Sequence, residues 1–343
     1  MRRSIARLFC VAGAAMTLST AGSRSASTAS QTRVPQISGD FWTIATDPDL
    51  GALEGPASDG SVQQTVDFGI WQAADGTWQL WSCIRGTAEP GDHRLFYGWE
   101  SSSLTAANWT PKGIAMRADT SVGEVAGGLQ APYVFRVGNV WHMYYGDWEH
   151  ICHATSTDGK TFTRVINGGT STVYTQPPPS NTPTGTDPAF DLNTRDPMLV
   201  QDNGTYRNYY SSDSTYDPTL EFQDHDYVRT STNLSTWSDP IEVAYAGQAG
   251  TGVSSAECPF VLHDGADYFL FQTQHYGSNM QTSVYRSQDP NKFGVKDDSY
   301  FVEQLPLAAP EVVQANGQYY VARVRADYQG IEMARMTLAP PEQ

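Results

Sequence analysis

Three carboxylates stand at matching places in this 343-residue chain, each at the start of a short apolar run. They are Asp67 in "TVDFGIW", Asp196 in "NTRDPMLVQ" and Glu257 in "SAECPFVL". Brought to one pocket, three like charges would repel. Ground-state stability does not call for that, so chemistry is the natural reason. Hydrolysis of an acetal linkage uses such a set. One carboxyl must stay protonated near neutral pH to protonate the leaving oxygen. A second must be ionised, to attack the carbon or to activate water. A third raises the acid's pKa and stabilises developing positive charge. A single such acid more often caps a turn or pairs with an arginine. The recurrence of all three in phase with a repeat is what separates the two readings.

The repeat is a hairpin. "APYVFRVGNVWHMYYG" begins at Ala131, "DPMLVQDNGTYRNYYS" at Asp196, "CPFVLHDGADYFLFQT" at Cys258 and "APEVVQANGQYYVARV" at Ala309. In each, Pro is followed nine residues later by an aromatic: Trp141, Tyr206, Tyr268 and Tyr319. A further copy, "FGIWQAADGTWQLWSC", keeps that spacing from Gly69 to Trp78 if Gly69 takes the place of Pro. A strand, a Gly/Asn/Asp turn and an aromatic strand make a β-hairpin, and Pro is tolerated at a strand start. A third strand and a polar loop follow each one, as in "HATSTDGKTFTRV". The Pro-equivalent positions lie 63, 65, 62 and 51 residues apart. Five such units predict an all-β, five-bladed β-propeller, with blades starting near 67, 131, 196, 257 and 309. A β-sandwich would not require the repeat. The last copy is one strand short, and "FWTIAT", 41–46, is expected to supply that strand and close the ring.

In a propeller the first strand of each blade lines the central channel. Read around the ring, the starts are Asp67-Phe68, Gln130-Ala131, Arg195-Asp196, Glu257-Cys258 and Ala308-Ala309. Only blades one, three and four offer a carboxylate. In this frame Asp67 falls one residue earlier than Asp196 and shares the phase of Glu257. Asp47, in "ATDPDLG", is the competing candidate for blade one.

Architecture and motifs together resemble the five-bladed glycoside hydrolases of families 43 and 32, across roughly residues 40–339. "RDP" at 195–197 resembles the family 32 motif whose Asp stabilises the transition state. "EC" at 257–258 resembles that family's acid/base motif, and with Pro259 the "E-x-P" of family 43. The resemblance implies Glu257 as general acid, Asp196 as the residue tuning it, and Asp67 as base or nucleophile. Blade one departs from both families, which usually place Asp-Pro there. Arg195 would neutralise Asp196 or contact a substrate hydroxyl. Asp147, Trp148 and His150, in "GDWEHICH", are assigned to the pocket rim. His275, in "TQHYGS", lies where relatives place a histidine near a central water or calcium. No metal site is written in the residue spacing. No cofactor is required, and a structural calcium is left open by the resemblance alone. Two further functions stay open: a non-catalytic sugar-binding propeller, and a related transferase or phosphorylase, which would need a basic phosphate site.

Composition fits a carbohydrate partner. There are 9 Trp and 18 Tyr, and the formal charge of −16 argues against nucleic acid or anionic membranes. Arg2, Arg3 and Arg7 precede a short apolar run, Leu8 to Leu18, and small residues near Ala21-Gly22-Ser23. That pattern predicts an export signal and linker over residues 1–30, followed by a single domain over 31–343. A secreted or periplasmic monomer is expected. Beyond the signal stand Cys83, Cys152 and Cys258, an odd number. One Cys83–Cys152 bridge and three free thiols are both compatible with it.

Overall fold

Alternating apolar and polar residues, cut by Gly, Asn and Asp turns, give five antiparallel sheets in the computed structural model. It describes residues 33–176, 193–217, 221–252 and 254–341. The expected export signal lies outside these residues. Blade one comprises Gln64–Gln72, Trp78–Arg85, Leu95–Ser101 and Thr110–Met116. Blade two comprises Gln130–Val137, Val140–Gly146 and Ile151–Ser156, with Thr172–Tyr174 and Thr163–Arg164 both paired to the third strand. Blade three comprises Arg195–Asp202, Thr205–Asp217, Glu221–Ser231 and Ile241–Tyr245. Blade four comprises Glu257–Asp264, Asp267–His275, Gln281–Ser287 and Phe301–Leu305. Its loop also lends Gly294–Val295 as a parallel fifth strand to blade three.

Blade five is built from both ends of the propeller. Glu311–Ala315, Gln318–Val324 and Gly330–Ala339 are joined by Val34–Thr46, antiparallel to Gly330–Ala339. The closing strand expected at 41–46 is therefore present and longer. The first strands of successive blades lie against one another, and that of blade five lies beside that of blade one. The ring is closed.

The core consists of sheet-to-sheet interfaces. Trp71, Trp81, Phe96, Trp141 and Tyr145 fill the space between blades one and two. Phe260, Phe269, Phe271, Tyr285 and Phe293 belong to the cluster joining blades three, four and five. The aromatic nine residues after Pro has a definite job here. Trp141 Nε1 donates to the Gln72 carbonyl (2.9 Å), Tyr268 OH to Asp202 (2.7 Å) and Tyr319 OH to Asp264 (3.3 Å). In each case the acceptor ends the first strand of the preceding blade, so the ring buries its apolar face while its polar tip ties two blades together.

The blade starts share one backbone device. Asp67, Ala131, Asp196, Cys258 and Ala309 all have positive φ, between 24° and 59°. In blades one to four the strand register shifts across this residue, as at a β-bulge. Asp67 thus matches Asp196, and Phe68, not Gly69, occupies the Pro position. The one-residue offset expected from sequence is corrected by the hairpin. Five residues past the bulged position, Gln72, Arg136, Gln201, His263 and Gln314 each pair with the aromatic of the second strand. Blade one carries one more residue in its turn, 73–77, and that insertion moved Trp78. Gly69 is needed for another reason: a Cβ there would lie 2.4 Å from the Pro132 carbonyl oxygen, where the first strands of blades one and two meet.

Candidate active site

The bulged starts direct side chains from three blades into one pocket of about 530 Å³ at the mouth of the channel. Asp67, Asp196, Glu257, Arg195, Trp148 and His275 all line it. Asp147 and His150 do not. Asp147 is fully buried and accepts from the backbone N–H groups of Glu149 and His150, and from the His150 ring at 3.1 Å. These two residues shape the turn that presents Trp148, whose own φ is +78°. Their assignment to the rim is corrected accordingly. Asp47 does not line the pocket either, because its two oxygens accept from Thr65 and Gln63.

Arg195 is the electrostatic centre. It is buried, and one terminal nitrogen donates to Glu257 (2.6 Å) and Asp224 (2.9 Å). Its Nε lies 3.5 Å from Asp196, and its other terminal nitrogen 3.4 Å from Asp213. One cation thus faces four carboxyls. Asp213 and Asp224, with the neighbouring buried Asp226, come from the middle strands of blade three and were not found from sequence. Asp224 and Asp226 had one signal, "FQDHDYV", in which acids occupy alternate positions and so share one face of a strand; Asp213 had none.

Burial raises the proton affinities of these acids, and the excess of carboxyls over cations adds to it. Burial lifts the carboxyl of Asp196 to about 7, Arg195 opposes the rise, and Asp67 and Glu257 add to it. Burial also raises Glu257, again opposed by Arg195 and reinforced by Asp224 and Asp67. Asp224 and Asp226 are pushed well above the usual carboxylate range, chiefly by burial. Asp196 is held by the backbone N–H of Cys258 (2.9 Å), while its Oδ1 has no partner among the described residues.

Asp67 is oriented by two donors. Tyr276 OH donates to its Oδ1 (3.0 Å) and the Cys258 thiol to the same oxygen (3.4 Å). Burial pushes both the phenol and the thiol well above their ordinary pKa, so both keep their protons. Tyr276 was missed because a strand-end tyrosine in an aromatic-rich chain carries no distinguishing pattern. Cys83, Cys152 and Cys258 are all free, so no Cys83–Cys152 bridge is present.

Asp67, Asp196 and Cys258 offer donor atoms within 4.8 Å of one another. Calcium takes about six to eight oxygen ligands. Two carboxylates and a protonated thiol do not fit that ion, and no step is assigned to it.

No family model matches the sequence, and no curated protein does. Solved structures do match. A thermostable family-43 glycoside hydrolase is similar with a TM-score of 0.59 and 15% identity, over 85% of this chain and 98% of that one. An α-L-arabinofuranosidase from Lactobacillus brevis gives 0.54 and 12%, over 82% and 95%. The GH32 β-fructofuranosidase of Bombyx mori gives 0.51 and 16%, over 85% of this chain and 60% of that one. Identities this low establish the fold. The chain shares the five-bladed β-propeller fold of these GH43 and GH32 enzymes.

Proposed function

We propose that this chain is an exported glycoside hydrolase acting on a furanoside or xyloside bond in an oligo- or polysaccharide. The observation that carries this reading is the convergence of Asp67, Asp196 and Glu257, from three different blades, on one pocket, with burial raising the proton affinity of two of them. The similar solved enzymes support it through fold alone.

Glu257, partly exposed and with a raised pKa, is the general acid. It gives its proton to the glycosidic oxygen as the bond from that oxygen to the anomeric carbon breaks. Asp67, held by Tyr276 and Cys258, receives the proton of the attacking water, or attacks the carbon itself before water releases the sugar. Asp196 faces the positive charge that develops on the ring, and with Arg195 sets the proton affinity of Glu257. One observation favours a second reading, a sugar-binding propeller without turnover. The Arg195–Glu257 contact of 2.6 Å favours the ionised carboxyl and so opposes the rise that burial produces.

Hydrolysis of a panel of aryl glycosides by wild type and Glu257→Gln separates the two. The expected loss is about 10²- to 10⁴-fold, larger for poor leaving groups than for good ones, because only the former need the proton. An equal loss for all leaving groups would remove Glu257 from the acid role. Sugar binding without any turnover in wild type would establish the second reading.

A further inference from the structure

A second cavity, of about 400 Å³, opens beside the first. Arg85, Arg94 and Trp148 line both. The rest of its wall comes from blade one: the lead-in at Asp59, Ser61, Val62 and Gln64, and the loop from Gly86 to His93.

The loop that carries Arg94 is built to hold a shape. Asp92 N–H donates to the Ala126 carbonyl and Arg94 N–H to that of Gly127, both at 2.9 Å. Thr87 closes the loop on the His93 carbonyl through its N–H (3.1 Å) and its hydroxyl (3.0 Å). Gly91 has φ +89°, and a Cβ there would lie 1.9 Å from the Ala126 carbonyl oxygen, so the close approach requires glycine. The guanidinium of Arg94 stacks on Trp148, 4.3 Å from the ring centroid. Arg85 is braced by Gln64, to which its Nε donates (2.8 Å), and by the ring of Tyr328 (5.4 Å).

In a chain with 37 acids against 21 basic residues, cations are readily neutralised. Arg33, Arg117, Arg164, Arg195, Arg286, Arg323 and Arg325 each have a carboxylate within 4 Å. Arg85 and Arg94 have none among the described residues, yet both face the same space. Asp59 and Asp92 line the second cavity and not the first, and Arg94 acts on Asp92 through space without forming an ion pair with it. Two half-buried, braced guanidinium groups with no paired carboxylate are a ready receptor for an anion, and bracing them in advance lowers the ordering cost of binding.

We propose that Arg85 and Arg94 form an accessory subsite for an anionic group, the carboxylate of a uronic acid or a sulfate ester, on a sugar adjoining the bond to be cleaved. The inference rests on the glycosidase reading of the neighbouring pocket and narrows its substrate to acidic oligosaccharides. It gives Trp148 a second task, as the platform that aims Arg94.

The test compares kcat/KM on xylo-oligosaccharides that are plain, glucuronate-branched or sulfated, in wild type, Arg85→Ala, Arg94→Ala and the milder Arg94→Lys. Calorimetric titration of glucuronate and glucose provides a readout independent of turnover, and thermal melting checks each variant's fold. Wild type should prefer an acidic substrate over the plain one. Either alanine variant should lower that ratio by about 10- to 100-fold, the range of a charge-assisted hydrogen bond, with Arg94→Lys intermediate. The acidic arm that responds, carboxylate or sulfate, names the source of the charge. No preference in wild type, or one that survives both alanine substitutions, overturns the subsite. So does bond cleavage that depends on inorganic phosphate, which would make these arginines part of a phosphorylase. Arginine-dependent binding of glucuronate with no hydrolysis of any substrate would keep the subsite and refute the glycosidase.

Discussion

Blades three and five begin alike and do different things. Asp196-Pro197 and Ala309-Pro310 share a left-handed residue before proline, with φ of +59° and +47°. One supplies a carboxyl to the pocket, and the other carries a methyl group, which does not line it. Blades one and two repeat the contrast with Asp67 and Ala131. The bulge is therefore a property of the propeller, and the side chain placed on it is a separate choice. Left-handed backbone costs a residue with a Cβ about 1–2 kcal/mol, and that cost is met at all five starts, including those that carry no acid. What distinguishes the acidic starts is the added burden of burying charge.

The sharpest way to break this comparison is to make the acidic starts resemble the others. Asp67→Ala should lower kcat/KM by about 10³-fold or more, and Asp196→Ala by about 10²-fold, within the range of acid–base groups. Circular dichroism should stay unchanged, because Ala131 and Ala309 already show that the backbone accepts alanine. A variant that unfolds would mean that the carboxylate, not the bulge, organises the blade start.

A second prediction concerns pH. Asp196 has a folded pKa of about 7 against an ordinary 3.8. Between those values the folded chain binds more protons than the unfolded chain, so this group's contribution to stability falls as pH rises from about 4 to 7. Below that window it costs nothing, and above it the penalty is complete. Melting temperatures of wild type and Asp196→Asn, taken between pH 5 and 8, should therefore diverge, with the variant gaining on wild type toward pH 8. Parallel curves would show that Arg195 fully compensates the charge.

The smallest effect should come from Ala131→Gly and Ala309→Gly. Relief of the left-handed strain is partly offset by the extra freedom of unfolded glycine. Melting should rise by about 1–2 °C with activity intact, if these starts are scaffold only.

The fold was readable because the repeat has a physical cause at each of its landmarks. Proline marks the residue after the bulge, and the aromatic marks the tie to the preceding blade. The phase of Asp67 was misread because the extra residue in 73–77 is a turn insertion, and turn length is invisible to a spacing rule that counts through it. Asp213 and Asp224 escaped notice because they reach Arg195 from the middle strands of blade three, over a distance set by three-dimensional packing. Asp147 and His150 misled for the opposite reason. They adjoin Trp148 in sequence, but a tight turn spends them on its own N–H groups. Arg85 and Arg94 were not singled out from the sequence, because what brings them to one space is the loop that Gly91 packs against Ala126.

The seam of blade five has a consequence for how the molecule comes into being. Val34 pairs with Ala339, so the first of the described strands must wait for the last. Until then blade five lacks its outer strand, and a sheet edge that should be covered is open to the wrong partner. Contacts of such long sequence separation make folding slow and place its decisive step at the end.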